Sequence, residues 1–268
     1  MFYTTQQLDM LQGSTLHEEI KNYRASVRDK YRRVKGAVLD KHQKEFPLAA
    51  FTEENYVWGS AILDSRSIWW NGGRHLVPML DLINCKEGPD PSRVHATELD
   101  ASGRNAITRA GWGFKQGDQI YENYGQPNYI YFMYHGFSLD KNVHDCVKVN
   151  FNLPEDLDAS ELQSRMNALR SSRLRPELTV CIAKDKIPPA LEAWIRVAHD
   201  VEDAKVDLVL LEYVRKALKQ YPTSLEEDEQ AIKAIEEARD SETSVTWGGK
   251  QIGTGYVEES ILRFLVTE

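Results

Sequence analysis

The stretch HLVPMLDLINCKEGPDPS, residues 75–92, decides the fold prediction for this chain. It begins as an apolar run typical of a buried strand and then places Asp81, Asn84 and Cys85 where that strand would end. Asp and Asn side chains are costly to bury unless hydrogen-bond partners satisfy them. The pattern therefore predicts a buried strand whose end is satisfied either by the protein's own backbone, as in a capped turn, or by a bound ligand.

Composition and charge limit the classes of partner. The chain has 268 residues, of which 28% are charged, and a net charge of -8. Its length suits one large domain or two smaller ones. The negative charge argues against a broad nucleic-acid surface, because phosphate binding needs clustered Lys and Arg. The basic segment Lys21–Lys41 has apolar residues at helical spacing and is interpreted as a solvated helix face. No apolar run has the length of a membrane span. We therefore expect neither nucleic acid nor a membrane as a partner.

The three cysteines, Cys85, Cys146 and Cys181, lie far apart and form no CxxC pair. This spacing supports neither a disulfide framework nor a four-cysteine zinc site. The first residues also lack the basic start and apolar middle of a signal peptide. A reducing, intracellular compartment, cytoplasmic or nuclear, is therefore expected, and the sequence leaves the oligomeric state open.

The order of periodic segments predicts an α+β chain. Residues 1–50 carry apolar positions at helical spacing with a break at Gly13, and Thr52 followed by two carboxylates predicts a capped helix that runs to about Ser65. Residues 75–151 alternate short apolar runs with turn residues, which predicts strands with hairpin-like turns at DASGR and KQGD. From residue 152 the pattern is helical, including the acidic tract 225–242.

The segment Asp118–Phe137 is unusually aromatic, with five tyrosines and two phenylalanines beside Gly125 and Gly136. Tyrosine hydroxyls need partners when they are buried, so several of them are expected to face a cleft. Two interpretations remain open, a ligand pocket and an aromatic mini-core. Signatures such as GxSxG, HExxH and a P-loop are absent, and neither GxG triplet opens a βαβ unit.

Several ordered motifs resemble those of SET domains. LVPMLDLINC resembles the P-x-x-D-x-x-N-H segment of that family, and GDQIYENYGQPN and YHGF resemble the segments G-E-x-I-x-x-x-Y-G-x-x-N and Y-G-F that follow it. FTEENYVWGSAILDSR resembles the helix before the second half of the SET fold, and QYPTSLEEDE resembles the C-terminal helical domain of the Rubisco methyltransferase and actin-histidine methyltransferase branch. The resemblance covers nearly the whole chain. It implies a partial SET domain with a helical insert over residues 1–151 (the insert about 1–65), and an all-α substrate-binding domain over residues 152–268.

The resemblance also implies a function, an S-adenosylmethionine-dependent protein-lysine or protein-histidine N-methyltransferase. It places the hydroxyl of Tyr124 at the methyl-transfer point and assigns a protein substrate to the C-terminal helical domain. Asp81 and Asn84 would help to build the cofactor pocket where the chain forms a pseudoknot. The full set that the resemblance places around the cofactor is Arg66, Asp81, Leu82, Asn84, Cys85, His135 and Phe137.

The chain departs from the SET pattern in two places. Cys85 stands where the family has histidine, which removes the hydrogen bonds of a ring. The family's first half, with a G-x-G strand at the cofactor, has no counterpart, since Gly13 and Gly36 are the only glycines before residue 50. We therefore expect an incomplete pocket, very weak cofactor binding and no methyl transfer. Three hypotheses follow: a truncated form of an active methyltransferase, a non-catalytic SET-like protein-binding module, and an unrelated structural protein with an aromatic core.

Overall fold

The computed structural model describes residues 2–70, 72–90, 93–94, 97–184, 186–238 and 244–268. The chain divides into two compact units. The first unit is formed by Glu18–His144 with the residues up to Thr4 and Thr267, and the second by Thr5–His17, Asp145–Val266 and Glu268. The domain boundary predicted after residue 151 stays a prediction, and the two units are described separately below.

Helices make up much of both units. Their bounds are α1 Thr5–Asp9, α2 Thr15–Val34, α3 Glu53–Arg66, α4 Asn128–Ile130, α5 Ala159–Ser171, α6 Pro189–His199, α7 Asp203–Leu218, α8 Leu225–Ala238 and α9 Tyr256–Thr267. Helix α2 continues into a π-helical turn, Lys35–Leu39, and α4 into another, Tyr131–His135. The acidic tract is helical over α8, and its residues 239–242 lie outside the described part of the chain. None of the helices in the described ranges combines the length and apolar content that a membrane span needs.

The predicted start of α3 is confirmed. The Oγ1 of Thr52 accepts a hydrogen bond from the backbone N–H of Asn55 at 3.2 Å, which satisfies one of the free donors of the first turn. Glu53 and Glu54 lie in that turn, where the helix dipole favours negative charge. Helix α3 ends at Arg66 and leads directly into a strand that begins at Ser67, so Arg66 lies where the helix and the strand meet.

The strands of the first unit are short and pair two at a time. They are β1 Ser67–Trp70, β2 Gly73–Leu76, β3 Asn84–Cys85, β4 Thr97–Leu99, β5 Ala106–Thr108 and β6 Tyr121–Glu122. β1–β2 and β4–β5 are antiparallel, and the DASGR turn joins the second pair as predicted. The KQGD turn also forms, through a bond from Asp118 N–H to the Lys115 carbonyl, but it joins no antiparallel pair. β6 instead pairs with β3 in parallel, with Cys85 opposite Glu122.

The long buried strand predicted from residue 75 is wrong. β2 ends at Leu76, a 3-10 turn follows at Leu80–Leu82, and β3 holds only two residues. Pro78 has no N–H to contribute to a ladder, which explains the interruption. Leu76, Met79 and Leu82 are 53%, 76% and 63% exposed, so the apolar run is largely on the surface.

The second unit contains helices and short strands. Its strands are β7 Val147–Phe151, β8 Leu178–Ile182, β9 Val245–Trp247 and β10 Lys250–Ile252. They form two antiparallel pairs, β7–β8, whose connection contains α5, and β9–β10. The expectation of an all-α C-terminal domain is therefore wrong in this detail, although the α+β class is confirmed. One buried cluster of the unit consists of Phe151, Leu169, Leu191, Trp194, Ile195 and Ala198, together with the nearly buried Val206.

Two of the three cysteines form a disulfide, which corrects the expectation that none would form. Cys146 and Cys181 are bonded, with their Cα atoms 5.3 Å apart. They lie 35 residues apart in sequence and are brought together by the pairing of β7 with β8, which no local spacing rule could show. Cys85 is a free thiol.

Gly13 breaks the N-terminal helical region as predicted. Helix α1 ends at Asp9 and α2 begins at Thr15. Between them Gly13 has a φ of +100°, and a Cβ there would lie 2.8 Å from backbone atoms of Tyr221. Both the backbone conformation and the close approach require glycine.

Candidate functional site

A cavity of about 450 Å³ lies in the first unit, where the end of α3, strand β1, the 3-10 turn and the aromatic segment meet. Its size is in the range of small-molecule sites. The residues that line it are Asp64, Ser65, Arg66, Ser67, Ile68, Trp69, Arg74, Leu80, Asp81, Ile83, Glu122, Tyr124, Gln126, Ile130, Tyr134 and His135. Four of the eight site residues predicted from sequence are among them, although they are spread over 70 positions from Arg66 to His135.

Side chains of the site tie separate segments together through backbone carbonyls. The Nη1 of Arg66 donates to the carbonyl oxygen of Asp81 at 2.6 Å, and the hydroxyl of Tyr124 donates to the carbonyl oxygen of Ile83 at 2.5 Å. These bonds hold the 3-10 turn between the end of α3 and the aromatic segment. Burial raises the pKa of Tyr124 to about 12, so its hydroxyl keeps its proton at neutral pH.

His135 is the last residue of the π-helical turn, and it lines the cavity. Gly136 follows with a φ of +79°, a left-handed conformation that ends the turn. The ring centroid of its imidazole lies 5.6 Å from that of Tyr124. Burial lowers the pKa of His135, and the nearby Arg66 lowers it further. The ring is therefore neutral at pH 7.

The other four predicted residues do not line the cavity. Leu82 is 63% exposed and Asn84 is exposed as well. The thiol of Cys85 lies within hydrogen-bond reach of the Tyr131 hydroxyl, and burial raises the pKa of that thiol. Phe137 stacks on Tyr131 at 5.0 Å between ring centroids. Cys85 and Phe137 thus form a layer behind the wall, where Tyr131 is fully buried.

The aromatic segment serves both of the purposes that its sequence left open. Tyr131 and Phe132 are fully buried and form part of a core, whereas Tyr124 and Tyr134 line the cavity. The helical and π-helical geometry of residues 128–135 sends neighbouring aromatic residues to different sides, and the sequence pattern alone does not separate them.

Asp64, an acidic residue that sequence reasoning missed, lines the cavity. Only 7% of the Asp64 side chain is exposed, and its carboxylate accepts hydrogen bonds from Arg74, at 2.5 Å, and from the hydroxyl of Tyr23. The guanidinium of Arg74 also lies 5.2 Å from the ring centroid of Trp69. Asp64 stands two residues before Arg66 in DSRS, which was the available sequence signal, but its partners are distant in sequence.

Glu122 is a second missed acid. Its residue is 7% exposed, and its Oε1 accepts a hydrogen bond from the Oγ1 of Thr108 at 3.0 Å. A carboxylate held at a low-dielectric wall favours a cationic ligand group. In the sequence it stands in IYENYG, between two tyrosines, and no acidic partner or motif marks it.

Solved structures of one kind share this architecture. The fold matches "Structure of Rubisco LSMT bound to AdoMet" with a TM-score of 0.67 and 16% sequence identity, over 99% of this chain and 65% of that chain. The chain has a SET-type fold. "Crystal structure of the SET domain of LSMT bound to Lysine and AdoHcy" matches with a TM-score of 0.63, and "Structure of Rubisco LSMT bound to Sinefungin and Monomethyllysine" with 0.66, both at 16% identity over 99% of this chain and 65% of the other.

The SET-type fold confirms the fold prediction, and the chain spans about 65% of the length of those solved structures. No protein-family model and no curated protein matches the sequence. The cavity described above lies within the part of the chain that the match covers.

Proposed function

We propose that the protein is an S-adenosylmethionine-dependent protein N-methyltransferase whose reaction takes place in the 450 Å³ cavity. The observation that carries this proposal is the meeting of Arg66, Asp81, Tyr124 and His135, from separate segments, at one cavity. The SET-type fold supports it, because three solved structures with a similar fold are named for complexes with AdoMet, with lysine and AdoHcy, and with sinefungin and monomethyllysine.

The chemistry of the wall suits the parts of this cofactor. The guanidinium of Arg66 is a donor for a carboxylate, and the carboxylate of Glu122 favours a sulfonium. The aromatic faces of Trp69 and Tyr134 suit a flat base. When bound, S-adenosylmethionine would supply an electrophilic methyl group on sulfur and leave as a neutral thioether.

Tyr124 is the residue proposed to act on the transferring methyl group. Its hydroxyl donates to the Ile83 carbonyl, which fixes the direction of the oxygen lone pairs. Because its pKa is raised to about 12, the residue presents a neutral oxygen dipole and no full charge. Such a fixed dipole stabilises partial positive charge on a methyl group in transit and needs no reorganisation during the step.

The second unit is proposed to bind the protein substrate. It contains its own cavity of about 640 Å³, whose wall includes β7 and the C-terminal half of α7. Charged side chains of both signs line it, among them Lys148, Glu212 and Lys216. A mixed wall of this kind suits a polar peptide segment better than an apolar ligand.

A non-catalytic binding module remains the second candidate. The observation that favours it is the exposure of an apolar side chain of the cavity wall: Trp69 lines the first cavity and is 64% exposed. Water at an open wall weakens polar contacts to a ligand, so this exposure favours weak cofactor binding.

A radiolabelled-methyl transfer assay separates the two candidates. The protein is incubated with cell lysate and methyl-labelled S-adenosylmethionine, with Tyr124→Phe as the comparison. Label incorporated by the wild type and strongly reduced in the variant supports the enzyme. Absence of labelling, with intact folding of both proteins by circular dichroism, supports the binding module.

A further inference from the structure

Helix α7 of the second unit packs against the buried cluster through one of its faces. The apolar residues of that inner face are Val206, Val209, Leu210 and Tyr213. Their separations of three or four residues keep them on one side of a helix with 3.6 residues per turn. The outer face of such a helix is normally polar, because it lies in water.

The outer face of α7 instead carries an apolar stripe. Leu208, Leu211 and Leu218 are 61%, 42% and 61% exposed. Leu211 follows Leu208 by three residues, and the exposed Arg215 stands four residues after Leu211 and three before Leu218. Apolar residues that alternate at separations of three and four are typical of the seam between two packed helices. The stripe, defined as Leu208, Leu211, Arg215 and Leu218, therefore indicates a partner helix.

The stripe has the same spacing in both chain directions. Its steps are three, four and three residues, so its centre lies at Tyr213. If a second copy of α7 runs antiparallel to the first, Leu208 of one copy meets Leu218 of the other, and Leu211 meets Arg215. A two-fold dimer requires a surface that is complementary to itself in this way.

Charges along the stripe favour the antiparallel direction. In a parallel pair in register, Arg215 would face Arg215 of the other copy, and like charges at such a position are unfavourable. In the antiparallel pair, Arg215 lies about 1.5 Å along the axis from the level of Glu212 of the other copy, because one residue of helix separates them. Both side chains are exposed. The two-fold symmetry forms this ion pair twice.

We propose that a second copy of this chain docks on the stripe of α7 and forms an antiparallel, two-fold helix pair. The helix has 16 residues, and so its seam is about 24 Å long. A single helix pair buries less than the roughly 1,600 Å² of a standard interface, so we expect a dissociation constant of about 10 μM. Glu212 and Leu218 also line the 640 Å³ cavity, and the interface therefore borders that cavity.

Sedimentation equilibrium of the full chain tests the proposal. The mass of the wild type should rise from 30.7 kDa toward twice that value between about 1 and 500 μM. Leu211→Glu places two carboxylates in the seam and should stay monomeric over the same range. Leu162→Glu is the matched control, because this leucine of α5 is also 42% exposed, and it should dimerise as the wild type does. A monomeric wild type, or a Leu211→Glu variant that dimerises like the wild type, would overturn the proposal.

A charge exchange tests the direction of the helices. Arg215→Glu brings two carboxylates together at each end of the seam and should weaken the dimer about tenfold. Adding Glu212→Arg to it restores opposite charges and should return the dissociation constant to within about threefold of the wild type. Equal constants for the single and the double variant would contradict the antiparallel pair. These measurements need no cofactor, so their outcome is independent of the proposed function.

Discussion

The hydroxyl of Tyr124 donates a 2.5 Å hydrogen bond to the backbone carbonyl of Ile83, 41 residues earlier in the chain. This bond joins the aromatic segment to the turn that follows β2, beside the parallel pairing of β3 with β6. The Tyr124 hydroxyl therefore lies at the cavity, and its direction is set by the backbone carbonyl of Ile83. The proposed chemistry depends on this relationship.

Tyr124→Phe tests the role of that oxygen. We expect methyl transfer in single turnovers to fall about 10²-fold, because a fixed dipole at the transferring group is lost. Cofactor affinity, measured by calorimetry, should change little, since the hydroxyl acts mainly in the transition state. Tyr56→Phe, a tyrosine outside the cavity wall, is the control. Equal transfer rates of the Tyr124 variant and the wild type would remove this residue from the mechanism.

Cys85→His tests whether the cysteine at the family's histidine position is a loss or an adaptation. The thiol lies behind the cavity wall near the Tyr131 hydroxyl, and a ring could restore hydrogen bonds there. We expect cofactor affinity to stay the same or become tighter. A variant that folds cooperatively but no longer binds the cofactor would show instead that the site is adapted to the small side chain.

The titration of His135 gives a prediction about pH. Burial and Arg66 lower its pKa below the ordinary 6.5, so the folded state resists a proton that the unfolded state accepts. The resulting stability is fully present above pH 6.5 and is lost as the pH falls toward the folded-state pKa. In urea unfolding, the wild type should therefore lose more stability than His135→Gln between pH 7 and 5. Parallel losses in the two proteins would contradict a lowered pKa.

The disulfide between Cys146 and Cys181 closes a loop of 35 residues. We expect Cys181→Ser to lower the free energy of unfolding by about 2–4 kcal/mol under oxidising conditions, because the bond restricts the unfolded chain. The matched comparison is the wild type in dithiothreitol, which should lose a similar amount, while the variant should be insensitive to the reductant. Equal stability of all four samples would mean that the bond does not form in solution.

Local patterns predicted the elements that depend on local chemistry. The cap at Thr52, the break at Gly13 and the DASGR turn each follow from side chains a few residues apart. The strand expected from residue 75 does not form as one element, because Pro78 has no N–H for a ladder and β3 pairs with β6 over only two residues. An apolar run in a sequence does not show how many of its residues will pair. Local patterns also did not predict contacts between residues far apart in sequence, such as the disulfide and the hydrogen bond of Tyr23 with Asp64.

The candidate site was predicted in part. Arg66, Asp81, Tyr124 and His135 meet at the cavity, because motifs at defined separations fix where the segments cross. Asn84 was expected beside Asp81 but is exposed and does not line the wall. Asn84 begins a strand of only two residues and follows Ile83, whose carbonyl accepts the hydrogen bond of Tyr124. At this point the backbone contributes to the site, and the side chain of Asn84 does not.

Calorimetric titration of the protein with S-adenosylmethionine, alongside Arg66→Leu, tests the central claim most directly. The claim is that the cavity held together by Arg66 and Tyr124 is the cofactor site. The account predicts weak but saturable binding with one site per chain, and about tenfold weaker binding in the variant, since a charge-assisted contact is lost. The exposed Arg32→Leu should bind as the wild type does. No saturable binding at millimolar cofactor, or equal binding by Arg66→Leu, would contradict the account.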